Sequence, residues 1–282
     1  MLSKHVLIIL SVPETMKIIY TGLILCQILC HGCSRMQQNN EKAVHNGTTA
    51  VKMFAVEPFA AITSTGCINV VMSSQKGDSV RVETLDKVMP LVHVLSKDGW
   101  LCLSMDAAKD LKDVSVNVTV PYVENMQRLS IFGACTFTAE APVNGQTLRI
   151  CVTGASTASI ANAGVREVDA KVSGASILEL GNVTSDNFRA NVSGASYLSA
   201  AGVSESCNIL VSGASKADLK NVETQKSDVQ ISGASKAEIT AMESVAGNVS
   251  GASKLITFGK AAHSVSSSGA SKIRKNAYWT NR

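Results

Sequence analysis

Apolar and polar residues alternate with a period of two over most of the chain beyond residue 53. In VSGASKADLK one parity holds Val211, Gly213, Ser215, Ala217 and Leu219, and the other holds Ser212, Ala214, Lys216, Asp218 and Lys220. Side chains of a β-strand point alternately to opposite faces, so the first set is expected to face inward and the second to face water. ISGASKAEI repeats the pattern with Ile231, Gly233, Ser235, Ala237 and Ile239 inward, and VSGASILEL with Val172, Gly174, Ser176, Leu178 and Leu180. No capped helical period runs longer than about two turns.

The alternating segments are copies of one another. GAS occurs with its glycine at Gly154, Gly174, Gly194, Gly213, Gly233, Gly251 and Gly269, at spacings of 20, 20, 19, 20, 18 and 18 residues. A degenerate copy, IFGACTF, places Gly133 another 21 residues upstream. Strand content at a period of about 20 residues predicts a solenoid. The fold class expected is all-β: a parallel β-helix or β-solenoid with rungs of 18–20 residues over 126–275. Two or three short strands per rung both fit that length. Stacked rungs turn each position into a column of like side chains. Glycine suits a bend, and the serine column (Ser156, Ser176, Ser196, Ser215, Ser235, Ser253, Ser271) needs partners up or down the stack. GNVTSDN, AGVSES and KNVETQ between the units carry turn chemistry.

Residues 53–125 differ. They hold longer alternating runs with turns expected at Lys76–Gly77–Asp78 and Lys97–Asp98–Gly99; Asp-Gly between such runs is a hairpin signal. This strand-rich antiparallel or mixed region is expected to lead into the solenoid and cover its first rung, since an uncovered end invites edge pairing. At the other end, SKIRKNAYWTNR is basic and aromatic, and residues 276–282 read as a C-terminal cap.

The first residues read as an address. MKIIYTGLILCQILCHGC, residues 16–33, has Lys17 before an apolar run and then cysteine and small residues, the layout of an export signal. The run is short for a membrane span of ~20 residues. Met16 is read as the functional start, with residues 1–15 an upstream extension. Cys33, after Gly32 and before SRMQQNNEK, resembles the lipidated cysteine of a bacterial lipoprotein, although Cys30 and His31 depart from the usual pattern. Simple secretion is the alternative. A polar linker is expected over 34–52. The protein is thus expected to be exported, as an outer-membrane lipoprotein or at the cell surface, with the periplasm as the alternative.

Composition narrows the function. Apolar residues are 45% and charged residues 17%, a globular balance, while aromatics at 4% leave the core to small aliphatic side chains. The net charge of +4 is spread thinly, with no basic block interleaved with aromatics, so no nucleic-acid partner is expected. Cys67, Cys102, Cys135, Cys151 and Cys207 follow the signal. They are odd in number and lack metal-ligand spacing, so they read as small buried hydrophobes. No cofactor or metal site is expected. Acidic residues occur at most once per rung on the outer column, at Glu179, Asp218 and Glu238, and the latter two have a lysine close by. A polysaccharide-degrading enzyme of the kind that uses paired carboxylates is therefore the weakest reading.

Several passages carry a resemblance: STGCINVVMSSQKGDSVRVET, DGWLCLSM, DVSVNVTVPYVENMQRLSIFGACTFTA and the VSGASKAEI-type repeats. Over roughly residues 52–275 the chain resembles the putative auto-transporter adhesin, head GIN domain family of exported Bacteroidetes proteins. The resemblance implies a β-solenoid and an adhesin-like, non-catalytic role in the cell envelope, with a glycan or a surface protein as partner. It supplies no catalytic motif. A structural envelope lipoprotein without its own ligand is the alternative. The candidate binding strip is the outer position that follows each GAS corner, Lys216, Lys236, Lys254 and Lys272, with Asp218, Glu238 and Tyr197. In earlier rungs the lysine position is Thr157 and Ile177.

Overall fold

The computed structural model describes residues 47–106 and 114–276. The export signal, Cys33, most of the 34–52 linker and nearly all of the 276–282 cap lie outside the described residues. The strands are β1 (Thr49–Ala55), β2 (Ala61–Gly66), β3 (Ile68–Met72), β4 (Ser79–Leu85), β5 (Val92–Lys97), β6 (Trp100–Met105), β7 (Val116–Val120), β8 (Arg128–Gly133) and β9 (Thr136–Ala139). Then come β10 (Val143–Val152), β11 (Thr157–Val172), β12 (Ile177–Val192), β13 (Tyr197–Val211), β14 (Lys216–Ile231), β15 (Lys236–Val249), β16 (Lys254–Phe258), β17 (Ala262–Ser267) and β18 (Lys272–Asn276). From β10 to β16, every strand pairs in parallel with its counterpart one repeat later, giving a β-solenoid of about seven turns with rungs of about 20 residues.

The alternation of buried and exposed positions shows the shape of a rung. In the rung around β11, Ser156, Ala158, Ile160, Ala163, Val165, Val168, Ala170 and Val172 are buried. The alternation breaks at Gly154–Ala155, Ala161–Asn162 and Arg166–Glu167, so each rung turns three corners and has three sides. GNVTSDN and its equivalents are therefore not reverse turns, as the sequence reading had them. Gly181 and Asn182 lie inside β12, at an exposed corner where the strand bends; Asn182 stays paired with Asn162 and Ala201, and the register toward β13 shifts at Gly181. A corner between parallel rungs keeps its backbone bonds above and below, so regular strand continues through it.

The GAS glycines are not on the inner face either. Gly213 and Ala214 are both exposed at the corner, and of the three only Ser215 turns inward. Gly213 has φ +77, and a Cβ there would stand 2.5 Å from the carbonyl oxygen of Gly194 in the preceding rung. The column is glycine because of that close approach and the left-handed backbone. Where the repeat shortens to 18 residues, the register slips between Leu219 and Glu223 of β14, leaving Lys220–Val222 outside the β15 ladder, with the Lys220 carbonyl accepting instead from Thr240 Oγ1 at 2.6 Å.

The amino-terminal region is mixed, as expected, and part of it is built as rungs. β2 and β3 flank Gly66 and stack in parallel on β8 and β9, which flank Gly133; Gly66 pairs with Gly133. β6 and β7 stack on the other side of β2 and β3, so spatial order departs from chain order. Antiparallel strands finish this end: β5 on β6, and β4 on β7 with β1 outside it. The Asp98–Gly99 hairpin joins β5 to β6, with positive φ at both residues and Lys97 opposite Trp100. No hairpin forms at Lys76–Gly77–Asp78, because β4 pairs with β7 and β1 rather than with β3. β1 begins at Thr49, inside the stretch read as linker.

Candidate functional site

The candidate strip lies on the side of each rung that follows the GAS corner. Parallel register sets Ile177, Tyr197, Lys216, Lys236, Lys254 and Lys272 directly above one another. Two residues on, Glu179, Ser199, Asp218, Glu238, Ile256 and Arg274 form a parallel column. Inward residues from Ala217 to Leu255 hold the backbone of this face in the core, so the outer side chains stand on a rigid ladder.

The two columns are electrostatically linked at their centre. Asp218 Oδ2 accepts from Lys216 Nζ at 3.3 Å and from Lys220 Nζ at 3.5 Å, and Glu238 Oε1 lies 3.1 Å from Lys236 Nζ. Both carboxylate side chains are only 11% exposed. Burial works against the Lys216 ammonium, but the Asp218 hydrogen bond and charge outweigh it and hold the group above its ordinary value. Lys216 Nζ also sits 5.0 Å from the centre of the Tyr197 ring. One face of that ring is thereby occupied.

The sequence reading thus brought together residues that the structure also brings together. It missed other contacts because they join distant segments. Arg128 lies over Trp100, 5.5 Å from the ring centre, across the intervening Ala61 of β2. A shallow hollow of about 520 Å³ opens beside Gly145, lined by Asn125, Gln127, Gln146, Thr147 and Arg149. Its signal in the sequence is the PYVENMQ segment, which leaves the strand pattern just before β8.

The cysteines divide. Cys135 and Cys207 are buried, Cys102 and Cys151 are half-buried, and Cys67 is exposed, so the reading of all five as buried hydrophobes is corrected for Cys67. Cys67 follows Gly66 at the corner, where the second residue points to solvent, as the alanines of GAS do. Cys135 takes the serine position of its rung and receives the Ser64 hydroxyl and the Ile68 N–H, each at 3.4 Å. His93 pairs with Asp106 at 2.9 Å and His263 meets Thr257 Oγ1 at 3.2 Å. Among the described residues no group of three metal-ligating side chains comes together.

A stack of parallel three-sided rungs, with a glycine–serine corner column and a graded outer column, defines a β-solenoid repeat protein. The family model for the putative auto-transporter adhesin, head GIN domain matches residues 58–261, and the chain belongs to that family. Solved structures share the fold. A putative adhesin from Parabacteroides merdae ATCC 43184 is 18% identical, with a TM-score of 0.75 over 82% of this chain and 98% of that one. A putative adhesin from Parabacteroides distasonis ATCC 8503 is 17% identical, with a TM-score of 0.74 over the same shares. A putative lipid binding protein from the same P. distasonis strain is 14% identical, with a TM-score of 0.72 over 82% and 98%. No curated protein matches the sequence.

Proposed function

We propose that this protein is a non-catalytic, adhesin-like component of the cell envelope. It is exported, held at the outer membrane or cell surface by lipid on Cys33, and binds a carbohydrate or protein partner through the Lys216–Lys236–Lys254–Lys272 column with Tyr197, Asp218 and Glu238. The observation that carries the reading is the graded outer column. The glycine, the serine and the inward positions of each rung meet the demands of stacking, whereas the position after the corner runs Thr157, Ile177, Tyr197 and then four lysines on one rigid face. Membership in an adhesin family supports a binding role. Against catalysis stands the state of the stacked acids Asp218 and Glu238, which are largely buried and ion-paired, unlike a carboxylate pair free to exchange protons with a substrate.

A glycan array and a panel of surface proteins, probed with the processed chain, test the reading. Binding that falls when Lys216, Lys236 and Lys254 are changed together to alanine supports it. No binding to any member favours a structural envelope protein without its own ligand. Labelling with a palmitate analogue tests the anchor: wild type should label and Cys33→Ala should not, and equal labelling of both removes Cys33 as the lipid site.

A further inference from the structure

Charge compensation along the strip stops partway. At Lys216 and Lys236 the residue two positions on is acidic and forms an ion pair. In the next two rungs that position is Ile256 and then Arg274, beside Lys254 and Lys272. Among the described residues, the ion pairs along this column end at Lys236. The change extends beyond the strip: residues 244–276 contain Lys254, Lys260, Lys272, Arg274 and Lys275 and no Asp or Glu. Lys260, Lys272, Arg274 and Lys275 are exposed, and Lys254 is half-buried. Among the described residues, Lys275 alone of these five has a side-chain hydrogen bond, donating to the Ala261 carbonyl at 2.9 Å.

Stacked like charges on adjacent strands are destabilising. The central rungs neutralise that cost with Asp218 and Glu238, and the last two rungs replace the acid with a neutral residue and then a cation. Resting on the adhesin-like reading above, we propose that the carboxy-terminal rungs, through Lys254, Lys272 and Arg274, bind a linear acidic polysaccharide laid along the solenoid axis. The geometry selects a linear polyanion. Lys236, Lys254 and Lys272 form a straight row at the rung spacing of ~4.8 Å, and a rigid row loses little entropy when it meets regularly spaced anions. A bilayer is disfavoured because the large exposed apolar side chains, Val51, Met53, Leu95, Ile177, Val203 and Leu210, are on β1, β5, β12 and β13, and among the described residues none lies in the carboxy-terminal rungs. Lysines without an ion-paired carboxylate beside them can turn toward sulfate or carboxylate oxygens without breaking an existing pair.

The test measures binding of the processed full chain to immobilised polygalacturonate, dextran sulfate, uncharged dextran, double-stranded DNA and phosphatidylglycerol vesicles, at low and high salt. Binding to polygalacturonate or dextran sulfate, weakened by salt and absent with dextran, is expected; the two probes separate a carboxylate from a sulfate preference. The variant Lys254→Ala/Lys272→Ala/Arg274→Ala should lose about tenfold or more in affinity, and Lys254→Arg/Lys272→Arg should keep it. If the triple variant has lost the strand circular dichroism of wild type, Lys272→Glu alone replaces it, with the same loss expected. Unchanged affinity in the folded variant, equal binding to dextran, or binding to vesicles or DNA in preference to both acidic polysaccharides overturns the proposal. A neutral glycan or protein partner lost with Tyr197→Ala or Lys216→Ala, while the polyanions stay unbound, overturns it and leaves the adhesin reading standing. No binding to anything overturns both.

Discussion

The hydroxyl of Ser235 donates to the carbonyl oxygen of Gly213, one rung back, at 3.2 Å, and the same oxygen accepts the Ala234 N–H at 2.8 Å. The contact recurs along the corner, from Ser176 to Gly154, Ser196 to Gly174, Ser215 to Gly194 and Ser253 to Gly233. Glycine brings the two backbones close enough for it, and serine fills the acceptor's second site.

Gly233→Ala should therefore destabilise the protein far more than an ordinary surface change. Gly233 has φ +78, and the new Cβ would sit 2.5 Å from the Gly213 oxygen. A left-handed alanine alone costs about 1 kcal/mol or more, and the backbone clash adds to it, for an expected loss of about 3 kcal/mol. The denaturation midpoint should fall accordingly. Gly99→Ala is the control: φ is +78 there too, but nothing lies within 4 Å of the added Cβ, so only the conformational part should be lost.

Ser235→Ala isolates the hydroxyl. The Gly213 carbonyl keeps its bond from Ala234, so no buried acceptor is orphaned, and the expected loss is about 1 kcal/mol. The same change at Ser215 should cost more, because its hydroxyl also accepts the buried Ser196 N–H at 3.4 Å, and the double variant should cost less than the sum if the column acts cooperatively, since each single change already forfeits the shared gain. Additive losses in a double-mutant cycle would show that each rung's serine acts alone.

The corner column, the parallel stack and the acid–lysine pairs of the strip are legible in the sequence because a repeat turns one-dimensional spacing into three-dimensional register. Lys216 and Lys236 are 20 residues apart and therefore neighbours. Gly66 escapes that logic: it stands on Gly133 from 67 positions away, because β4 to β7 intervene in the chain while β6 and β7 slot in on the far side of β2 and β3. The Arg128–Trp100 contact is hidden for the same reason. The corners at Gly181–Asn182 were visible as turn residues but not as bends within strand, since their pairing partners lie in other rungs.

Asp218→Ala should destabilise the protein although the residue points outward. Lys216 and Lys220 lose their shared partner, and Lys236 lies one rung away. A loss of about 1 kcal/mol is expected, with Asp218→Asn intermediate, and it should shrink as salt screens the lysines. Lys216, Lys236 and Lys254 changed together to alanine should keep the fold but also lower the unfolding temperature, because Glu238 loses its partner and Asp218 keeps only Lys220. Thermal unfolding of both variants at two salt concentrations reads the difference.

Thiol reactivity should follow position at the corner and in the core. Burial pushes the Cys207 thiol up to about 12, so it carries almost no thiolate in mildly alkaline buffer. Burial also raises Cys135, despite the Ser64 and Ile68 hydrogen bonds. Alkylation of the native protein followed by peptide mapping should modify Cys67 first and leave Cys207 unmodified until the chain unfolds. Early modification of Cys207 would mean that the two stacked rungs holding Phe188 and Cys207 open readily.

The last rungs should carry a small acid sensitivity through His263. Burial, and then the charge of Lys275, hold its imidazole below the ordinary histidine value. The sign follows from linkage. Above a pH of about 6.5 the ring is neutral in both folded and unfolded chains, and stability does not depend on it. As the pH falls through that value the unfolded chain takes up the proton first, so stability declines until the lower folded value is passed. The effect is small because most of the ring is open to solvent. An NMR titration should place the His263 midpoint below that of a model peptide. Lys275→Met should raise it, since the cation is removed while burial is kept. His263→Gln should flatten the decline in unfolding midpoint between neutral and mildly acid pH, and an unchanged decline would assign it to other groups.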